Sequence, residues 1–278
     1  MPTPGRAACS LWLRLSWVLL TCSASAIHAA GLNTDVALSP PEDGFIIRNQ
    51  WRYSRLSDDP TPLDRELDLL VIPTTIVYGI TAELTILGTV PVIYRHTDFG
   101  SGGGAETDAG VGDIPLLLKY RFYQKDEPGV TTRWSMIGGI EIPTFDDDFS
   151  SDSIDPIIGT VWTHQEQSWW IDWDVIYKFN TAGGVAGDDE LRGDVAVSLR
   201  LADGVDDDGG PWGLYAIGEC NAKYIVDGSW RVLLSPGLQL IRPQLILEMG
   251  VQIPVYQDMK SPRLETDFTV VASVRFQF

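Results

Sequence analysis

The chain holds only three cysteines and three histidines in 278 residues, and its 20 basic residues face 38 acidic ones. Each scarcity excludes something. Cys9 and Cys22 lie in the first 30 residues, so Cys220 stands alone beyond them and no intramolecular disulfide is available there. There is no His-x-x-x-His, no Cys-x-x-Cys and no Gly-x-Ser-x-Gly elbow, which removes the common zinc, thiol and serine-hydrolase signatures. A formal charge of −18 argues against nucleic acid as a partner. After residue 30 no apolar run approaches the roughly 18–20 residues of a spanning helix, and the longest clear one is Leu69 to Pro73. No stretch carries convincing helical periodicity. Period-two alternation does recur, and aromatic residues are plentiful.

The first 30 residues read as a secretory signal. Arg6 and Arg14 flank a short basic region, Leu15 to Leu20 follow, and small residues close it at Ala24-Ser25-Ala26 and Ala29-Ala30. Cleavage fits after Ala26 or up to Ala30. Lipidation at Cys22 is disfavoured by Thr21 before it. Removing residues 1–30 removes two bases and no acid, which leaves 18 bases against 38 acids, a net charge of −20. The chain then divides into a short segment, 31–44, and a region of strands, 45–278.

Twelve alternating segments bounded by Gly, Pro, Asp or Ser fall at about 45–55, 66–79, 84–97, 110–124, 133–146, 155–164, 169–181, 189–202, 211–226, 229–243, 244–258 and 264–278. In Trp169–Thr181, one face is Trp169, Ile171, Trp173, Val175, Tyr177 and Phe179; the other is Trp170, Asp172, Asp174, Ile176, Lys178 and Asn180. A soluble sandwich would show the same alternation but would gain nothing from aromatics at both strand ends. Two membrane interfaces would. Trp134 with Ile140 and Trp230 with Leu234 repeat the pattern. The last strand runs LETDFTVVASVRFQF, and its ending on Phe276 and Phe278 resembles the signal by which outer-membrane barrels meet the barrel-assembly machinery. The expected fold is all-β, a transmembrane antiparallel up-and-down barrel of about twelve strands, in outer-membrane lipid of a Gram-negative-type envelope. Turns near 80–83, 165–168 and 242–244 are short, as expected on the inner side. The stretches 99–110, 146–153 and 182–189 are longer outer loops; 203–210 is long for an inner turn.

The same alternation assigns an interior. Bases expected to point inward are Arg48, Arg52, Arg95, Lys119, Arg121, Arg133, Lys178, Arg192, Arg200, Lys223, Arg231 and Arg275. Acids expected inward are Asp113, Glu141, Asp172, Asp174, Asp194, Glu219, Glu248, Glu265 and Asp267. The two sets nearly balance, so the large negative charge belongs to loops. Either these groups cross-link as ion pairs that fill a narrow barrel, or they line a lumen that selects small-molecule solutes; in both cases burial demands partners or water. Cys220 falls on an apolar strand face and reads as a small buried hydrophobe. The acids Asp146, Asp147, Asp148 and Asp152 could chelate calcium, but they match no EF-hand spacing and a solvated loop is the simpler account. His96, with Ser101 nearby in sequence, is the best candidate pair for a lipid hydrolase. No cofactor is called for.

Residues 78–97 (YGITAELTILGTVPVIYRHT) run into Gly110-Val111-Gly112-Asp113-Ile114 and then Lys119-Tyr120-Arg121-Phe122, and Tyr53-Ser54-Arg55 end the first strand. This resembles the outer-membrane family linked to the MetA pathway of phenol degradation. The resemblance implies a barrel that transports aromatic or other small hydrophobic compounds, and it supplies no binding residues. Gly110 and Gly112 are expected to ease the start of the fourth strand. Long-chain fatty-acid channels carry a substantial N-terminal plug, whereas here Gly31 to Asp43 is long enough to enter the mouth but not to fill the lumen. Closure would then fall to side chains or to an infolded 99–110. The expectation is a passive channel for small molecules, with a sealed structural or surface-interaction barrel as the alternative and a lipid hydrolase as the third reading.

Overall fold

The computed structural model describes residues 31–100, 102–144, 148–182, 188–206 and 209–278. The expected signal segment, Ser101 and Asp146-Asp147 lie outside them. Thirteen strands follow in order: β1 (Phe45–Ser57), β2 (Arg65–Gly79), β3 (Leu84–Phe99), β4 (Gly104–Val111), β5 (Ile114–Glu127), β6 (Val130–Ile142), β7 (Asp155–Gln165), β8 (Trp169–Lys178), β9 (Glu190–Val205), β10 (Pro211–Ile225), β11 (Trp230–Ile241), β12 (Leu245–Asp258) and β13 (Glu265–Gln277). All pairs are antiparallel, and β13 returns to β1 in the register Arg48↔Arg275, so the sheet closes as a barrel without free edges around the ring. Phe45 and Phe278 exchange backbone hydrogen bonds at the seam, at 3.1 and 2.9 Å. The twelve-strand barrel read from the sequence is the one observed, with β4 as an addition.

That addition has a local cause. The lower part of β3, Leu84–Gly88, pairs with β5, and the upper part, Val92–Phe99, pairs with β4. β4 and β5 are one line of chain broken at Gly112-Asp113. Pro91, which has no N–H to offer, sits where the partner changes. Gly112 N donates to Pro91 O at 3.0 Å, and a Cβ on Gly112 would come within 2.9 Å of Ile93 Cδ1. The glycine is therefore needed for close approach, not for a positive φ. The stretch 99–110 is not an infolded loop: it is the tip of a hairpin that continues the wall. Away from β3, β4 has no strand partner. Thr144 and Ser151, between β6 and β7, are held at its end instead: Asp113 accepts from Thr144 N and Ser151 N, and Thr144 Oγ1 donates to Val111 O.

Connections at the end carrying the termini are 80–83, 128–129, 166–168, 206–210 and 242–244; at the other end they are 58–64, 100–103, 143–154, 179–189, 226–229 and 259–264. Short turns on one side and long loops on the other are the asymmetry of an outer-membrane barrel. The exception read at 203–210 shrinks because β9 runs on to Val205. The tightest turn is Pro128-Gly129, with Gly129 at φ 78°, the conformation a Pro-Gly pair supplies at least cost.

Outward side chains form a continuous apolar wall, including Ile76, Leu118, Met136, Ile158, Val175, Val195, Leu234 and Met249. No water-soluble barrel of this size would leave so much of this exposed. Near the terminal end, Phe122, Trp134, Trp173, Trp162, His164 and Trp169 make one chain of ring contacts spaced 5.5–6.3 Å across β5 to β8. Such a band suits a membrane interface. Cys220 faces outward and is exposed, because the apolar face of a barrel strand is its lipid side, not a core.

Candidate lumenal site

The interior is built around an irregular stretch, residues 31–43, that crosses the lumen without helix or strand. Its apolar side chains are seated first. Leu32, 1% exposed, fits against Gly237 and Gly250 on β11 and β12, where a Cβ on either glycine would collide with its Cδ1. Ala37 packs with Ile137, Val161 and Ile176 from β6, β7 and β8. Its backbone is then satisfied by strand side chains, as buried backbone must be. Glu219 accepts from Asn33 N and Nδ2, and Asp174 accepts from Asp35 N at 2.7 Å. Thr163 accepts from Ala37 N and donates in turn to Asp172. On the carbonyl side, Arg48 and Gln50 donate to Leu32 O, Ser135 donates to Ala37 O, and Lys119 Nζ donates to Val36 O and Leu38 O. Where the partner is charged, acids take the N–H groups and bases take the carbonyls. The segment ends on Asp43 N→Gly79 O at the terminal rim. It therefore occupies the lumen far more fully than its length suggested.

Beside it, Trp170, Tyr215, Ile241 and Ile246 close the terminal end beneath β8 to β12, with Trp170 and Tyr215 edge to face at 4.4 Å. Above these two obstructions a chamber of about 700 Å³ remains. Its walls differ. On β1 to β3 and β5 it is lined by Leu56, Leu69, Val71, Pro73, Val77, Leu87 and Leu117, and the inward face of β2 carries no charge between Leu67 and Val77. On β8 to β13 it is lined by Lys178, Glu190, Arg192, Asp194, Lys223, Arg231 and Arg275. A second cavity of about 240 Å³ lies toward the long loops and shares Leu56, Glu190, Lys223 and Arg231 with the first, so these four form a neck.

The charged residues expected inside are placed as follows. Glu248 lies 2.9 Å from both Arg48 and Arg275 and takes Gln239 as a further donor. Lys178 pairs with Glu141, and Lys223 with Glu190, at 2.8 and 2.6 Å. Arg192 reaches Asp35, Asp174 and Asp194. Arg52 donates to Asn33 and Gln252, and Arg231 to Thr266. Toward the mouths, Arg95 pairs with Asp108 and stacks over Phe149, Arg133 pairs with Asp126, and Arg121 donates to Ala82 O. Arg200 lies near Asp203 and over the Tyr215 ring. Asp113 belongs to the β4–β5 break described above and not to the chamber. Glu265 is half-buried at the outer end of β13.

Asp267 does not point inward. β13 bulges there, between the pairs Arg55↔Phe268 and Leu56↔Thr266, so Asp267 is exposed, accepts from Ser57, and yields the inner position to Thr266. A bulge at Phe122 likewise turns Asp126 inward, which alternation alone could not show. Glu190 was missed because it opens its strand. The polar cradle of Gln50, Thr163, Asn221, Gln239 and Gln252 was missed because neutral side chains leave no charge pattern. His96 faces outward, bonded to Thr107 with Asp98 at 3.6 Å. Among the described residues no group of three or more potential ligands could hold a metal ion.

Solved structures that the barrel resembles include two membrane-barrel proteins. An outer-membrane channel from Pseudomonas putida F1 superposes with a TM-score of 0.58 at 13% identity, over 90% of this chain and 100% of that one. The β-domain of the Bordetella autotransporter Brka gives 0.51 at 11% identity, over 85% and 100%. No protein-family model matches the sequence, and no curated protein matches it significantly. At these identities the likeness extends to the fold.

Proposed function

We propose that this barrel is an outer-membrane channel for small amphipathic or hydrophobic molecules, exported by its first 30 residues and inserted through its C-terminal strand. The observation that carries the reading is the chamber of about 700 Å³, in the size range of small-molecule sites and lined without charge along β2 and β3. A water-filled porin needs neither an apolar wall nor a segment threaded across its lumen. The route enters at the long-loop end, passes the neck, and reaches the chamber. The resemblance to the phenol-degradation family and the likeness of the fold to the Pseudomonas putida outer-membrane channel point the same way.

The test is uptake of radiolabelled 1-decanol by vesicles with a lipopolysaccharide outer leaflet, beside single-channel conductance of the same preparation. Faster uptake than in protein-free vesicles, with small or rare ionic steps, supports the reading. Unchanged uptake and no steps would transfer the argument to a sealed scaffold, whose support is the Trp170 cluster and the crossing segment. A lipid hydrolase would lose its activity in His96→Ala.

A further inference from the structure

Most bases around the chamber already touch a carboxylate, Arg48 and Arg275 sharing Glu248. Arg48, Lys178, Arg192, Lys223 and Arg275 each have a carboxylate at 2.6–2.9 Å. Lys119 spends itself on two carbonyls of the crossing segment, at 2.8 and 2.6 Å. Arg52 and Arg231 are different. Among the described residues neither has a carboxylate within 4.0 Å, and their acceptors are neutral: Asn33 and Gln252 for Arg52, Thr266 for Arg231. Each guanidinium has five N–H donors, so both retain donors after these bonds are counted. Both line the same chamber, and Arg52 lies in the positive field of Arg231; the acids whose fields reach them, Glu219 for Arg52 and Glu190 for Arg231, are themselves held by Asn33 and Lys223. Two cations with no carboxylate in contact, facing one enclosed space, are stabilised when an anion joins them.

The surroundings limit which anion. Arg52 is paired across the strands with Val71, and Ser54 beside it with Leu69, so the apolar wall begins next to the guanidinium. Leu56, in the neck with Arg231, continues that wall toward the long loops. A small inorganic anion would leave this surface bare. We propose that Arg52 and Arg231 form a head-group site for a singly charged acidic amphiphile, a carboxylate or sulfonate whose apolar tail lies along Leu56, Leu69 and Val71. The proposal rests on the channel reading and adds its substrate class. Guanidinium forks favour such planar or trigonal oxyanions over point cations and neutral alcohols. Arg231 is the residue met first on the route inward, at the neck, and Arg52 the second.

The experiment is calorimetric titration of the purified full barrel in a neutral detergent with decanoate, 1-decanol and acetate. Wild-type protein should bind decanoate about tenfold or more tightly than decanol, the worth of one charge-assisted hydrogen bond, and should bind acetate far more weakly than decanoate. Arg231→Gln should erase most of the decanoate preference. Arg231→Lys, which keeps the charge but loses the fork, should retain part of it and guards against misfolding of the first variant. Equal affinity for decanoate and decanol overturns the proposal while leaving the channel reading standing, since decanol uptake is measured independently. Acetate binding as tight as decanoate would reduce the site to an ion site and overturn it as well. Binding of none of the three overturns it outright.

Discussion

Glu248 shows what a single inward residue does in this lumen. Its side chain is fully buried, it lies 2.9 Å from Arg48 and Arg275, and Arg48 in turn holds Leu32 O. Removing one partner from a buried ion network leaves charges that cannot return to water, a loss of about 3–5 kcal/mol. Glu248→Gln should therefore lower the midpoint of the heat-induced gel shift of the barrel, and unchanged mobility would mean that water already shares the site. Asp59, in the loop after β1, works in the opposite setting. It accepts from Arg65 Nε at 2.6 Å and from the backbone N–H groups of Thr61 and Arg65, and the Arg65 guanidinium holds its carboxyl far below the ordinary range. A carboxyl depressed in the folded state contributes fully above its unfolded value of about 4 and loses that contribution as pH falls through the folded one. Amide exchange at Thr61 and Arg65, corrected for the intrinsic rate, should stay flat from neutrality down to about pH 4 and then rise. In Asp59→Asn it should be fast throughout. At this scale the sequence was readable wherever alternation ran unbroken, as on β8. It failed at Asp267 and Asp126, where one extra residue in a strand exchanges the faces and nothing local announces it.

Strands were legible because a barrel wall separates lipid from lumen at every second residue, so each carries its own record of two environments. The break between β4 and β5 left no such record. It depends on Pro91, a strand away, and on a glycine that must let Ile93 approach, and both are facts about a neighbour. Read alone, 99–110 is a Gly-rich loop; paired with β3 it becomes wall. Just past the end of β4, the two oxygens of Asp113 hold Thr144 N and Ser151 N at 3.2 and 2.8 Å. Asp113→Ala removes both acceptors at a local cost of about 1–3 kcal/mol. Exchange at Thr144 and Ser151 to Ser153 should quicken while the heat-shift midpoint of the barrel hardly moves, because the closed ring does not pass through this contact. A matching fall in the midpoint would show instead that the seam belongs to the cooperative unit.

For the whole molecule, the decisive element is the one with no periodic signal. Residues 31–43 form neither helix nor strand, so their position is fixed only by what the barrel offers them, and that offer comes from β1, β5, β6, β7, β8, β10, β11 and β12 together. This also accounts for much of the buried charge. Glu219 and Asp174 serve N–H groups, Asp172 serves the Thr163 hydroxyl that takes Ala37 N, Arg48 and Lys119 serve carbonyls, and a barrel emptied of the segment would leave these places to water. Deleting residues 31–38 while keeping the anchor at Asp43 and Gly79 leaves the ring of strands intact, so the barrel should still shift on heating. The freed groups would hydrate, as polar walls without partners do. Single-channel conductance should then rise severalfold over the full chain. If it stays the same, the closure lies with Trp170, Tyr215, Ile241 and Ile246, and the crossing segment shapes the chamber floor without gating it. The two obstructions are built from different residues, so a second deletion variant carrying Trp170→Ala separates them: additive increases mean two parallel paths, and an increase only in the combination means that either alone suffices to seal the barrel.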